Sequence, residues 1–401
     1  MTARDQTDPT PTGVFSAFLH LGLTSFGGPI AHLAYFRREF VERRQWVTEH
    51  QYAELVALCQ LLPGPTSSQV GFSIGLLRAG FPGAMAAFIA FTLPSALLML
   101  ALAALLPALP QGPGDAIIHG LKLVAVAVVA HGVLGMARQL CPDWPRQVLA
   151  TVCAGIMIVW STTWTPVVVV ALGALVGLFS LASARHTHPA GLTSRYGTSL
   201  GWVLLCCFGL LLLAAPFLTQ GNVTAQAASA FYRAGALVFG GGHVVLPLLK
   251  ESLVDTGLVD SGTFLAGYGA AQAVPGPMFT LATYLGATLP GGSGGGYGAL
   301  VATVMIFLPG LLLVSAVLPM WRLIGDHPAA SRAMTGINAA VVGLLAAAFY
   351  NPVLTSGIGS LVDAAIAAGG LLMLFKWRFS TVWVVLWCVA ASTATSQLFT
   401  P

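Results

Sequence analysis

A proline-glycine-proline triplet, Pro63-Gly64-Pro65, lies inside an apolar run from Ala53 to Leu77. The two prolines lack the amide donors that a helix interior needs, and the glycine is conformationally permissive, so a helix must stop here and start again. The same words recur at Gln272-Ala273-Val274-Pro275-Gly276-Pro277, answering Gln60-Leu61-Leu62-Pro63-Gly64-Pro65. Composition makes this pattern constraining. Of 401 residues, 56% are hydrophobic and 7% charged, against about 25% charged in soluble domains. The chain reads as an all-α polytopic membrane protein embedded in a lipid bilayer. Broken helices at membrane depth survive only where protein buries them or a cavity adjoins them. Two of them in matching places point to a substrate site.

Thirteen apolar segments can be marked, and their order repeats. The first, Gly13 to Phe36, is interrupted at Phe26-Gly27-Gly28-Pro29. The eighth, Ala227 to Leu249, is interrupted at Phe239-Gly240-Gly241-Gly242. Phe18, Gly22, Phe26, Gly27 and Gly28 align with Phe231, Gly235, Phe239, Gly240 and Gly241 at an offset of 213. The two Gln-x-x-Pro-Gly-Pro motifs align at 212, and Gly83, Leu93 and Pro94 align with Gly298, Leu308 and Pro309 at 215. A constant offset with small slips is an internal duplication. We expect an N-terminal tail at 1–12, a first repeat at 13–184, a linker with one transmembrane helix at 185–226, and a second repeat at 227–401.

Basic residues in short loops set orientation. If every apolar segment crosses and the N-terminus is inside, Arg37, Arg38, Arg43 and Arg44 fall outside, against the rule. If the two interrupted segments of each half instead enter and return as re-entrant hairpins, those arginines lie inside with Arg78, Arg138, Arg146, Arg185, Arg195, Arg322, Lys376 and Arg378. Lys250, among Glu251, Asp255 and Asp260, goes outside. The N-terminal tail is then cytoplasmic. This arrangement has nine full spans and four hairpins, about four spans in each half. Five spans separate equivalent points, so the two halves are inverted repeats. If only one segment per half re-enters, the repeat becomes parallel.

Each break opens a new apolar stretch. A helix N-terminus has free amides and about half a positive charge, which binds anions. Four such termini meeting near the midplane would form a positive site without a buried lysine; the bland reading is a set of packing kinks. Thr66, Ser67, Ser68 and Gln69 follow the first triplet and offer donors to an oxyanion, or else bond back to their own helix. The second triplet is followed by the less polar Met278-Phe279-Thr280, so the first half is expected to supply more contacts. Gln60 and Gln272 either cap the preceding helix or reach the ligand. His32 and His243 stand in the first turns after the glycine breaks, where an imidazole can donate to an oxyanion or simply sit satisfied in the core. Glu54, Lys122, Arg233 and Asp363 are charged groups inside apolar runs and hence functional candidates.

Other classes are disfavoured. The net charge of +4 is small and dispersed, so nucleic acid is not an expected partner. The six cysteines form no C-x-x-C pair and read as small buried hydrophobes. No metal-ligand cluster, nucleotide-binding loop, cofactor motif or nucleophile elbow stands out, which weakens a membrane-embedded enzyme as a reading. Residues 1–12 lack the basic n-region and apolar core of a signal peptide. A homodimer is left open.

Phe26-Gly27-Gly28-Pro29 with His32, the basic segment ending in Trp46, the Gln-x-x-Pro-Gly-Pro motif and its diverged second copy together resemble the chromate ion transporter family, in its long two-domain form. The resemblance covers essentially the whole chain. It implies export of chromate from the bacterial cytoplasm across the inner membrane, driven by the proton-motive force, with chromate resistance as the outcome. Sulfate, an isosteric dianion, is the implied competitor. It also marks Gly27, Gly28, Pro29, His32, Gln60, Pro63, Gly64, Pro65, Gln69, Gly240, Gly241, His243, Gln272, Pro275, Gly276 and Pro277 as positions of the family pattern. Gly242 stands where the first half has Pro29, so the second break is expected to be looser. The residues alone do not choose chromate over sulfate.

Overall fold

The computed structural model describes residues 10–110, 112–160, 162, 165–180, 196–215, 217, 222–239, 242–321 and 328–399. Every regular element among them is helical. α1 (Pro11–Thr24) starts under the Thr10 hydroxyl, which accepts from the Gly13 N–H, and stops at Ser25, whose backbone is extended. α2 (Gly28–Phe36) restarts the chain and passes into a π-helical stretch, Arg37–Arg43. α3 (Glu49–Leu61) begins in a reciprocal capping box between Thr48 and Gln51 and ends just before the first Pro-Gly-Pro.

α4 (Thr66–Leu105) is continuous by hydrogen bonding, yet Ala79 and Gly80 leave helical geometry, Gly80 with φ 66 and ψ −161. A methyl on Gly75 would strike the Gly83 carbonyl, and one on Gly83 the Gly75 carbonyl. In a straight helix those positions stand about 12 Å apart. The element is therefore a hairpin of two antiparallel arms. α5 (Pro113–Leu140), α6 (Trp144–Val159), α7 (Thr165–Ser180) and α8 (Thr198–Ala214) follow.

The order then recurs. α9 (Val223–Leu237) precedes a 3-10 turn at Gly242–Val244, α10 (Val245–Leu249), a π-helical stretch at Lys250–Val254, and α11 (Ser261–Ala271), which is capped by Asp260. Past the second triplet come a 3-10 turn at Met278–Thr280, α12 (Leu281–Ala287) and α13 (Gly295–Val317). Gly286 and Gly298 block each other's Cβ positions as Gly75 and Gly83 do. α14 (Pro328–Ala348), α15 (Leu361–Phe375) and α16 (Thr381–Phe399) complete the chain.

Small residues set the helix contacts. A helix proline frees the carbonyl four residues before it. Pro94 so frees Ala90, and Gly22 of α1 packs there: a Cβ on Gly22 would sit 2.9 Å from the Ala90 oxygen and 2.8 Å from the Phe91 oxygen. Gly235 of α9 packs at the matched place on α13, against Ile306 and Pro309. Gly173 and Gly177 of α7 meet Gly336 and Ala340 of α14, a small-xxx-small contact on both helices.

The outer surface is apolar. Leu97, Leu105, Val159, Phe179, Leu213 and Leu300 are all more than half exposed, which suits lipid rather than water. Among the described residues, four helical stretches are long and apolar enough to cross a membrane by length and composition: Thr66–Ala108, which contains the α4 hairpin, Pro113–Leu140, Gly295–Met320 and Ser331–Gly357. The protein is an all-α polytopic membrane protein. α6 has 16 residues and rises about 24 Å, less than the roughly 30 Å hydrocarbon layer. Trp144 and Trp160 stand exposed at its two ends, where interfacial tryptophans belong.

Cys59, Cys141, Cys153 and Cys388 are buried as expected, but Cys206 and Cys207 are exposed on α8. There the surrounding surface is itself apolar, so a small hydrophobe is still at home.

Candidate functional site

The breaks of the two regions interlock. The Gly64 N–H donates to the Val238 carbonyl at 2.7 Å, and the Gly276 N–H donates to the Ser25 carbonyl at 2.9 Å. Ser25 and Val238 are the residues where α1 and α9 stop. Each Pro-Gly-Pro thus closes the broken helix of the other region. Side packing is reciprocal as well. A Cβ on Gly64 would lie 2.9 Å from the Gly310 Cα, and one on Gly276 would lie 2.9 Å from the Ser95 hydroxyl. Gly310 and Ser95 each follow the proline of a long helix. A Cβ on Gly242 would lie 3.4 Å from Pro29 and 2.8 Å from Met278, so the two glycine breaks face each other.

The two helix starts of the first region carry no side-chain cap among the described residues. Gly27 caps α2 with φ 104, and Gly28 follows at φ 78 with nothing within 4 Å of a Cβ position. Pro65 is the N-cap of α4, so Thr66, not the proline, is the first helical residue. Pro29 is the second residue of α2, after Gly28. Pro277 likewise caps the 3-10 turn at Met278–Thr280. The second region builds shorter starts: a 3-10 turn and a five-residue helix after Gly242, and a 3-10 turn after Pro277. Gly240 and Gly241 lie outside the described residues.

Around these starts sit buried polar atoms with no hydrogen-bond partner among the described residues. They include His32 Nε2, Ser68 Oγ, Ser25 Oγ and Gln69 Oε1. His32 Nδ1 stands 3.4 Å from Ser67 Oγ, and its ring packs edge-on against Phe91 at 5.3 Å. Native interiors leave few polar groups unpaired, and an unpaired one signals a ligand, a water or an ion. A serine hydroxyl and an imidazole N–H beside two uncapped helix starts can donate to an anion without bringing a full counter-charge.

Other expected residues are engaged elsewhere. Gln69 Nε2 donates to the Pro63 and Gly310 carbonyls, both at 3.0 Å. Its free atom is an acceptor, so it positions the break rather than donating to an anion. Gln272 donates to Met278 Sδ at 3.0 Å and is buried, whereas Gln60 is exposed. His243 Nδ1 pairs with Tyr268 Oη at 2.7 Å and its ring lies on Gly132. It is not the counterpart of His32: at offsets of 212 to 213 His32 matches Val244 or Val245, and Phe279 stands where Ser67 does. Asp363 pairs with His119 at 2.7 Å, and Glu54 lies 4.0 Å from His50.

Ser25, Ser95, Val238 and Gly310 were not anticipated. A backbone carbonyl has no sequence signature, but Ser95 and Gly310 directly follow the matched prolines and could have been read from that spacing.

The sequence model of the chromate transporter family matches residues 12–178 and again 225–393. The chain is 31% identical over 366 residues to a probable chromate transport protein of Synechococcus elongatus, covering 90% of this chain and 88% of the relative. It is 28% identical over 378 residues to a chromate transport protein of Pseudomonas aeruginosa, covering 91% and 87%. An uncharacterized transporter of Bacillus subtilis matches at 29% over 144 residues, which are 34% of this chain and 79% of that one. No solved structure matches. With a family match in each of two regions that together span most of its length, the chain belongs to the chromate transporter family.

Proposed function

We propose that the protein is a secondary transporter that exports chromate across the bacterial inner membrane, driven by the proton-motive force, and so confers chromate resistance. The carrying observation is the set of unpartnered donors, His32 Nε2 and Ser68 Oγ, beside the uncapped starts of α2 and α4. The names of the relatives supply the substrate. Moving a dianion out of a cell that is negative inside is electrically downhill, each charge contributing about 2.3 kcal/mol per 100 mV. Purified protein in vesicles loaded with chromate should release it faster than protein-free vesicles under an inside-negative potential. Equal rates would end this reading; release of sulfate but not chromate would move it to a sulfate transporter.

The repeats at 13–184 and 227–401 are inverted in this reading, with 185–226 as linker. The reciprocal bonds at Gly64 and Gly276 and the separate family matches support it. A thiol-reactive reagent applied outside intact cells should spare a cysteine at Arg43 and label one at Asp255. The opposite pattern reverses the orientation.

A further inference from the structure

The two regions treat one matched carboxylate differently. Glu39 lies in the π-helical stretch after α2, and Glu251 lies in the one after α10, at the 212-residue offset of the Pro-Gly-Pro motifs. Glu39 is clamped: Arg43 reaches it at 3.0 Å and Arg44 pairs with its other oxygen. At the same offset the second region carries Asp255 and Thr256. A clamp of two cations has become a second carboxylate and a hydroxyl. Glu251 is nevertheless buried, at 6% exposure, and neither of its oxygens accepts a hydrogen bond among the described residues.

Space for water adjoins it on two sides. One cavity of about 70 Å³ is lined by Glu251 with Lys250, Asp255, Tyr350 and Asn351. Another of about 20 Å³ lies between Glu251, Ser252 and Arg233; about 10–15 Å³ is enough for one water. The titratable groups facing Glu251 are Arg233 from α9, Tyr350 from beyond α14, and Lys250 and Asp255 from its own stretch. Lys250 is engaged by Asp255 at 2.9 Å. α6 and α7 contribute Met157, Ile158, Pro166 and Val167, which carry no charge.

We propose that Glu251 is a proton-binding site of the transport cycle: its carboxylate takes a proton from the water of these cavities and returns it to water in a later step. This rests on the reading of the protein as a proton-driven transporter. The chemistry favours the exchange near neutral pH. Burial first and Asp255 second push the Glu251 carboxyl up from 4.5 to about 8, against the pull of Arg233 and Lys250. Glu39 differs in its surroundings, paired as it is with two arginines.

Two readouts test it. A raised carboxyl pKa gives stability that is full below about 4.5 and is lost as pH rises to about 8. The purified wild type should therefore lose thermal stability over that interval, and Glu251→Gln should lack that part of the loss. In vesicles, acid outside should speed chromate export several-fold for the wild type and by less than twofold for Glu251→Gln. Asp255→Asn, which keeps Glu251, should move the wild-type pH midpoint downward and serves if Glu251→Gln fails to fold. A pH profile of stability and a gradient response both unchanged in Glu251→Gln, or an unshifted midpoint in Asp255→Asn, overturns the proposal. Should the wild type carry no chromate at all, the transport reading fails separately, and the stability profile still decides whether Glu251 titrates.

Discussion

Gly64→Ala should bring chromate release down to the level of protein-free vesicles and lower the melting temperature of the purified protein. Gly64 has φ 124, where a side chain is strained by about 1–3 kcal/mol. The added methyl also meets the Gly310 Cα at 2.9 Å, and the nearest other atom is the Gln69 amide nitrogen at 3.0 Å. Backbone cannot step aside as a flexible side chain can, and overpacking of this kind costs about 1–3 kcal/mol. Relief requires Pro63-Gly64-Pro65 to move away from α13, which breaks the bond from Gly64 to Val238 and both bonds from Gln69. Gly28→Ala is the control. Its φ is 78, but nothing lies within 4 Å of the new methyl, so strain is the whole penalty. Gly28→Ala should therefore keep a higher melting temperature than Gly64→Ala, and the reverse order would discredit the interlock as the stabilising feature.

Ser68→Ala should weaken chromate binding about 10- to 100-fold, measured as the concentration that half-saturates flux. A hydrogen bond to a charged group contributes about 1.5–3 kcal/mol, which corresponds to that range. The informative part is stability. Ser68 Oγ is buried and unpartnered, so removing it relieves a desolvation penalty and breaks no bond within the protein. Melting temperature should hold or rise while affinity falls. A hydroxyl that served only its own helix would give the opposite pair: unchanged affinity, with little or no gain in stability. Ser67→Ala is the companion, and it also loosens His32, 3.4 Å away.

Much of this was legible in the chain. Pro-Gly-Pro announces a broken helix because no side chain rescues two missing amides in an apolar run. The offsets of 212 to 215 residues place equivalent elements in the same order, down to the small residues Gly22 and Gly235, which pack against the helices carrying Pro94 and Pro309. The hairpin at Gly80 was half visible, since the apolar run from Ala53 ends at Leu77 and the loop residue Arg78 follows it. The partners of long-range donors were not. Whether His243 turns toward the breaks or toward Tyr268 depends on a ring from another helix. Whether Gln272 reaches a ligand or Met278 depends on a rotamer. Local periodicity records neither. Nor does it record that Gly64 finds its acceptor at Val238, because a carbonyl belongs to every residue alike.

That last bond has a consequence for how such a molecule can be inherited and assembled. A buried amide must have an acceptor, and the amides of Gly64 and Gly276 each find theirs across the divide. A copy of either region on its own would have an orphan at its centre. Cut into two polypeptides between the family matches, the protein should regain its fold only when both pieces are present, held together by a reciprocal debt rather than by the chain that joins them. Both positions also have positive φ and a neighbour 2.9 Å from any added Cβ, so neither copy is free to lose its glycine, however far their side chains diverge.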